Sequence, residues 1–372
     1  MLIGTDIREW QPGAHTGIGR FLEELLLAAQ ATMAEERVLL VGDSTCEVRV
    51  QAPNMEVVRI PDRWTPWSDQ ISLPRLLARR EVSVFLSPYY KGPLLAPCPV
   101  VLTIHDLFFI GYPGRRRPLY DAFMTRLARL YARRATAIIA DSDYSKRRIL
   151  ERLGITPAKV SVIPVALGLE FRNTPLTDQV RARYAITEPY ILYLGAFKPH
   201  KNLPRLLQAF AGLDASLRSA HQLVLAGGDR ASQQTCLGLA RSLGIAGRVV
   251  VPGQIHNRDL PALYSGCALF VLPSLEEGFG LPALEAMACG APVIASNRGA
   301  IPEVVGEAAM LFDPENVQAI TAAIARVLTH AELKASLRQQ GLAQAGKFSR
   351  AATATRVLAL LRDIGAGNPR NG

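Results

Sequence analysis

The stretch from Leu272 to Ser296, LPSLEEGFGLPALEAMACGAPVIAS, restricts the fold more than any other part of the chain. The apolar, β-prone run from Ala268 to Leu272 stops at Pro273 and passes into a polar turn, Ser274 to Gly280. Pro282 is tolerated at the first position of a helix, and Leu284, Met287 and Ala288 recur at helical spacing until Gly290 and Pro292 end the run. A helix is therefore predicted from about Leu281. Val293-Ile294-Ala295 resumes the strand pattern, so the unit reads strand, loop, helix, strand. Gly278 and Gly280 stand at the entry to the helix, where open α/β sheets bind ligands.

The start of such a helix presents unpaired N–H groups and the positive end of its dipole, a seat for an anion that glycines let approach closely. Glu277 lies in the loop and Glu285 about one turn into the helix. Both can accept hydrogen bonds from hydroxyls, and acceptors beside a phosphate seat suit a sugar nucleotide better than bare phosphate. The plainer alternative is a solvated pair of glutamates on an ordinary strand–helix unit.

Glu277-Gly278-Phe279-Gly280-Leu281-Pro282, followed by Glu285, resembles the signature of the glycogen-synthase-like retaining glycosyltransferases, group 1 or family 4. The resemblance implies an α/β protein of GT-B architecture, two Rossmann-like doubly wound parallel-sheet domains facing a cleft. It places Glu277 near the donor sugar and Glu285 on the nucleotide ribose, with Gly278, Phe279, Gly280 and Leu281 in the donor loop.

With 372 residues, 49% of them apolar and 20% charged, the chain has material for two domains with real cores. Its five cysteines, Cys46, Cys98, Cys236, Cys267 and Cys289, are scattered without metal-ligand spacing, which argues against a disulfide framework or zinc site. MLIGTDIREW lacks the marks of a signal peptide, and no apolar run approaches the roughly 18 residues of a membrane span. A cytoplasmic protein, soluble or peripheral on the inner face of the membrane, is expected. A formal charge of +10 points to acidic partners.

In the first half, Leu2 to Ile7 reads as a strand, and Thr16-Gly17-Ile18-Gly19 leads into an amphipathic helix. The spacing is not a full dinucleotide fingerprint. Gly17 and Gly19 read equally as a tight turn or, by the resemblance, as a close approach to the diphosphate or acceptor. Val100 to Ile104 is a strand ending on His105-Asp106-Leu107. A histidine at the carboxyl end of a buried parallel strand is placed like a functional group. The family has a histidine near the donor sugar at this point, which His105 matches, while Asp106 reads as a capping or orienting residue.

Residues 115 to 152 carry eleven Lys/Arg against four Asp/Glu. The spacing of Leu119, Phe123, Leu127 and Leu130 predicts a helix whose apolar face packs on the sheet and whose arginines point outward. That face is either simply solvated or, with Arg115, Arg116 and Arg117, a patch for an anionic membrane or the acceptor. Stacking aromatics are not regularly interleaved with the arginines, so nucleic acid is not expected. Asp141-Ser142-Asp143 has the form of a metal-binding DxD, but its strand-to-helix position reads as a cap.

The segment from Gly168 to Thr187 looks loop-like, and the strand pattern restarts at Tyr190 to Gly195. The expected division is an acceptor domain over 1–170, a linker over 171–187 and a nucleotide-sugar domain over 188–348. By the resemblance, 349–372 forms a terminal helix crossing back to the first domain. Strand, Gly195, basic loop and helix is a phosphate-binding order, with Lys201 as a point charge. The family's loop runs from such a glycine to a lysine six residues on. Many members carry arginine directly after the glycine; here it is Ala196, leaving Lys198 or His200 as substitutes.

The resemblance implies a retaining hexosyltransferase needing no metal and no cofactor, catalysed by His105, Glu277 and Lys201. Its donor would be a nucleotide sugar, GDP-mannose favoured, and its acceptor a glycan or lipid-diphosphate-linked sugar of a surface polysaccharide. A sugar-nucleotide 2-epimerase of the same architecture and a non-catalytic donor-binding subunit are the alternatives.

Overall fold

The computed structural model describes residues 1–11, 17–32, 36–61, 67–108, 110 and 118–367. It divides into two compact units, Met1–Ala166 together with Phe348–Gly372, and Leu167–Lys347. Each is built around one parallel sheet.

The first unit holds β1 (Leu2–Asp6), β2 (Arg37–Gly42), β3 (Met55–Arg59), β4 (Val84–Ser87), β5 (Val100–Ile104), β6 (Ala137–Ala140) and β7 (Val160–Val162). Their spatial order is β3-β2-β1-β4-β5-β6-β7. The second holds β8 (Tyr190–Leu194), β9 (Gln222–Ala226), β10 (Val249–Gly253), β11 (Leu269–Leu272), β12 (Val293–Ser296) and β13 (Met310–Phe312), ordered β10-β9-β8-β11-β12-β13. The central strands are buried along almost their whole length, because helices cover both faces of a parallel sheet. This is why they read as unbroken apolar runs and not as alternating ones. Strand order reverses between β1 and β4 and again between β8 and β11, so each unit has one switch point where crevices form at strand carboxyl ends.

The last helix, Arg350–Gly365, belongs to the first unit although it follows the second in sequence. Its apolar side, with Ala354, Val357, Leu358 and Leu361 buried, packs against helix Gly17–Thr32. Arg350 pairs with Glu24 and Arg362 with Glu36, while the Thr353 hydroxyl donates to the Pro164 carbonyl at 3.0 Å.

The 168–187 stretch has no helix or strand up to Thr177, then contains helix Asp178–Arg183, capped by Thr177, and it buries Phe171, Tyr184 and Ile186 in the second unit. The Tyr184 hydroxyl and Arg183 both bind the Asp259 carboxylate, which anchors the segment. Its apolar residues are too few to show a period, so tertiary contacts decide its structure.

Helix Pro118–Arg134 differs from the expectation. Its buried positions are Ala128 and Ala132, whereas Leu119 is 87% exposed, Phe123 61% and Leu130 44%. Small alanines allow the close approach to the core, and the larger apolar side chains stand outward beside Arg126 and Arg133. Arg115, Arg116 and Arg117 lie outside the described residues.

Candidate active site

The second unit assembles its candidate groups at the β8–β11 switch point. After β8, Gly195 opens the loop that ends in a 3-10 turn, Pro199–Lys201, with Asn202 in the left-handed region at φ +60°. The Asn202 amide donates to the carbonyls of Pro273 (3.0 Å) and Pro314 (2.7 Å), tying this loop to the ends of β11 and β13. The Leu275 N–H adds a bond to the His200 carbonyl at 2.7 Å. The loops on the two sides of the switch point are thus fastened to each other.

That fastening brings Lys201 onto Glu277. The ammonium lies 2.6 Å from Glu277 Oε1, and the buried Ser274 hydroxyl donates to the same oxygen at 2.6 Å. Glu277 is 6% exposed, so its charge is compensated inside the protein by a cation and a hydroxyl. Gly278, Phe279 and Gly280 are buried beyond it, and Leu281 begins helix Leu281–Ala288. Gly280 takes φ +98° at the helix entry, a conformation an L-residue adopts only with strain. Glu285 follows on the buried side of the helix, 1% exposed, accepting from the Tyr264 hydroxyl at 2.8 Å.

Gly299 completes the loop. At φ +65° it packs so tightly that a Cβ would lie 2.7 Å from both N and O of Glu277. The Ala300 N–H donates to the Glu277 carbonyl at 3.0 Å, so the turn after β12 holds the backbone that carries the glutamate.

Of the two substitutes for the arginine missing after Gly195, His200 is 4% exposed, and burial, then the neighbouring Lys201 charge, push its pKa down to about 4, whereas Lys198 is exposed.

In the first unit the groups come from strands in register. β5 and β6 pair Ile104 with Ala140, so the next residues, His105 and Asp141, extend side by side from the two strand ends. His105 Nδ1 lies 2.7 Å from Asp141 Oδ2. Phe21 from helix Gly17–Thr32 meets the imidazole edge to face, ring centroids 5.2 Å apart. Burial disfavours the imidazolium, but the charge and hydrogen bond of Asp141, helped by Asp106 and the Pro88 carbonyl, outweigh it and raise the pKa of His105.

The Asp141-Ser142-Asp143 stretch does cap a helix, through its serine and not through Asp141. Ser142 caps helix Asp143–Leu153, its side chain accepting from the Ser145 N–H, and Asp143 is exposed on the first turn. Asp106 does turn inward locally, accepting from the Phe108 N–H at 3.0 Å. Gly17 and Gly19 belong to the first turn of helix Gly17–Thr32 and not to a preceding loop; the Gly19 carbonyl accepts from the Trp10 indole at 3.0 Å.

Sequence reasoning missed Ser274, Asn202, Tyr264, Gly299 and Asp141. Asn202, Tyr264 and Gly299 act as scaffold across distances no local pattern reveals, whereas Ser274 is only three residues from Glu277. Asp141 had a signal: it follows β6 as His105 follows β5, and adjacent parallel strands place such residues together.

Comparison with known proteins fits this geometry. Residues 177–344 match the family model described as Glycosyl transferases group 1, and residues 16–170 match Glycosyltransferase Family 4. The O-antigen chain mannosyltransferase B of Escherichia coli is 31% identical over 352 residues, 90% of this chain and 92% of that protein. The chain belongs to the group 1 glycosyltransferases.

The serotype-specific mannosyltransferase WbdA of Escherichia coli is 34% identical to this glycosyltransferase over 291 residues, 73% of the chain. That match spans only 35% of WbdA's own length. Among solved structures, the sucrose-phosphate synthase of Thermosynechococcus elongatus superposes with a TM-score of 0.80 at 23% identity, covering 99% of this chain and 100% of that one. WaaG, a glycosyltransferase involved in lipopolysaccharide biosynthesis, gives 0.74 at 16% identity, covering 96% and 99%. At these identities the likeness concerns the fold, which is GT-B.

Proposed function

We propose that this glycosyltransferase moves mannose from GDP-mannose to a glycan or lipid-diphosphate-linked acceptor of a surface polysaccharide, with retention and without a metal. The observation that carries the reading is Lys201, held 2.6 Å from Glu277 beside the start of helix Leu281–Ala288. A cation and a glycine-led helix start at a switch point suit a departing diphosphate, and stabilising that charge is the main catalytic task. The mannosyltransferase names of the relatives support mannose as the sugar.

In this reading the anomeric C1–O bond to the diphosphate breaks while the acceptor oxygen bonds C1 on the same face. The acceptor proton passes to the departing phosphate. Glu277 is therefore not assigned as a nucleophile; its Oε1 accepts from Lys201 and Ser274. It holds the lysine and borders the sugar, His105 contacts the hexose, and Glu285 binds the ribose. No metal role is assigned to Asp141 and Asp143, and Asp141 is hydrogen-bonded to His105.

A thermal-shift panel of GDP-, UDP- and dTDP-sugars in excess EDTA, followed by transfer assays, tests this. A ligand at about 100 times its Kd stabilises by roughly 2.7 kcal/mol. GDP-mannose is expected to shift the melting temperature and to transfer in EDTA. A shift with UDP-glucose and none with GDP-mannose sinks the mannose assignment; strict manganese dependence sinks metal independence. An isomerised free sugar would mark an epimerase.

A second element concerns location. Among the described residues no helix is long and apolar enough to cross a membrane. We infer peripheral docking on the inner leaflet, supported by the outward Leu119, Phe123 and Leu130 beside Arg126 and Arg133. Anionic lipid attracts each basic residue near its surface by about 1 kcal/mol. Salt-sensitive sedimentation with anionic liposomes is expected, weakened by Phe123→Ser and by Arg115, Arg116 and Arg117 changed together to Ser. Indifference to such liposomes at low ionic strength would leave the patch a solvated face.

A further inference from the structure

We propose that Asp141 is a positioning residue for His105, holding the ring by its Nδ1–H and so fixing its orientation at the end of β5. This rests on His105 contacting the donor sugar, as proposed above.

Three observations support it. The pair is fixed by the sheet: the register Thr103 with Ile139 and Ile104 with Ala140 continues to His105 with Asp141, so neither side chain needs a flexible loop to find the other. The residue is held from further sides, since the Ser145 hydroxyl donates to the His105 backbone carbonyl at 3.2 Å and Phe21 packs edge to face on the imidazole. Rotation about the side chain would break the 2.7 Å bond to Asp141.

Strand alternation and register put Thr103, His105 and Asp141 on one face of the sheet, and the Pro88 backbone adds to Asp141 in favouring the ring proton.

Asp141→Asn, Asp141→Glu and His105→Ala, assayed for kcat and donor KM across the neutral pH range, test the assignment. Asp141→Asn should lower kcat by roughly 10- to 100-fold, the cost of a slightly misplaced group, with a much smaller change in donor KM. Its basic limb should move to lower pH, since the carboxylate that favours the protonated ring is gone. Asp141→Glu should recover part of the activity.

If His105→Ala is impaired while Asp141→Asn keeps wild-type kcat and an unshifted profile, Asp141 has no positioning role and the assignment falls alone. If His105→Ala retains wild-type turnover, the reading of His105 falls first. Should the Asp141 variants fail to fold, nitrogen NMR of the wild-type ring decides. A proton on Nδ1 in the neutral form supports the proposal, and a neutral ring protonated only on Nε2 overturns it.

Discussion

At the carboxyl ends of β8 and β11 the working groups are set by backbone, whereas at the ends of β5 and β6 they are set by side chains in register. The first arrangement uses loop-to-loop hydrogen bonds, Gly280 and Gly299 in positive-φ conformations, and a carboxylate compensated by Lys201. The second needs only two neighbouring strand ends and a 2.7 Å bond. Each arrangement has its own histidine, and the two are driven in opposite directions. Asp141 raises the proton affinity of His105; burial and Lys201 lower that of His200. A buried imidazole beside a carboxylate is kept ready to hold a proton, and one beside a cation is kept neutral. The comparison separates a ring whose protonated form is favoured from one whose protonated form is disfavoured.

The largest expected effect tests the loop-built side. Lys201→Ala removes the cation from the proposed diphosphate seat and leaves Glu277 with the Ser274 hydroxyl alone. Turnover should fall by about 100- to 1,000-fold, the usual loss for one charge-stabilising donor. Steady-state kinetics of transfer, with circular dichroism to confirm the fold, checks it. If the loss is confined to donor KM with kcat intact, Lys201 binds substrate and transition state equally and the catalytic assignment fails.

Glycines give the next contrast. At Gly299, φ +65° and a Cβ 2.7 Å from the Glu277 backbone mean that Gly299→Ala must displace the glutamate loop. A loss of about 1–3 kcal/mol is expected, with reduced turnover. A Cβ on Gly17 meets nothing within 4 Å, so Gly17→Ala in the helix should be neutral or stabilising by up to about 1 kcal/mol. Denaturant titration measures both. If Gly17→Ala nevertheless raises the KM for donor or acceptor, the space at Gly17 is reserved for substrate; an unchanged KM reduces it to a helix-opening residue.

These contrasts also show what could be read from the chain. The strand–loop–helix–strand unit around Glu277 was legible because strand, glycines, proline and helix all fall within 25 residues and each break has a local cause. The start at Leu281 and the stop near Gly290 follow from proline and glycine chemistry alone. The histidine at the end of β5 was legible from position. Its partner was not, because Asp141 is 36 residues away and its neighbours Ser142 and Asp143 carry a strong capping pattern that explains the stretch without it. The outward face of helix Pro118–Arg134 was misjudged for a related reason: periodicity identifies an apolar stripe but not whether Leu and Phe or Ala face the core. The helix over Asp178–Arg183 is too short to show a period at all.

The smallest effect isolates the neutral histidine. In the folded protein His200 takes up a proton only near pH 4, but in the unfolded chain near the ordinary value of 6.5. The unfolded state therefore binds more protons between these values, and stability drains as pH falls. Above about 6.5 the contribution is whole; it is lost progressively towards pH 4, and its size is at most on the order of 3 kcal/mol. Lys201 makes part of this difference, so Lys201→Ala should flatten the acid slope partially. His200→Gln should remove the histidine's share entirely, while the carbonyl at residue 200 can still accept from Leu275. Urea unfolding of wild type and both variants at a series of acid pH values measures the three slopes. Equal slopes in wild type and His200→Gln would mean that His200 ionises normally, and the opposition between the two histidines would be lost.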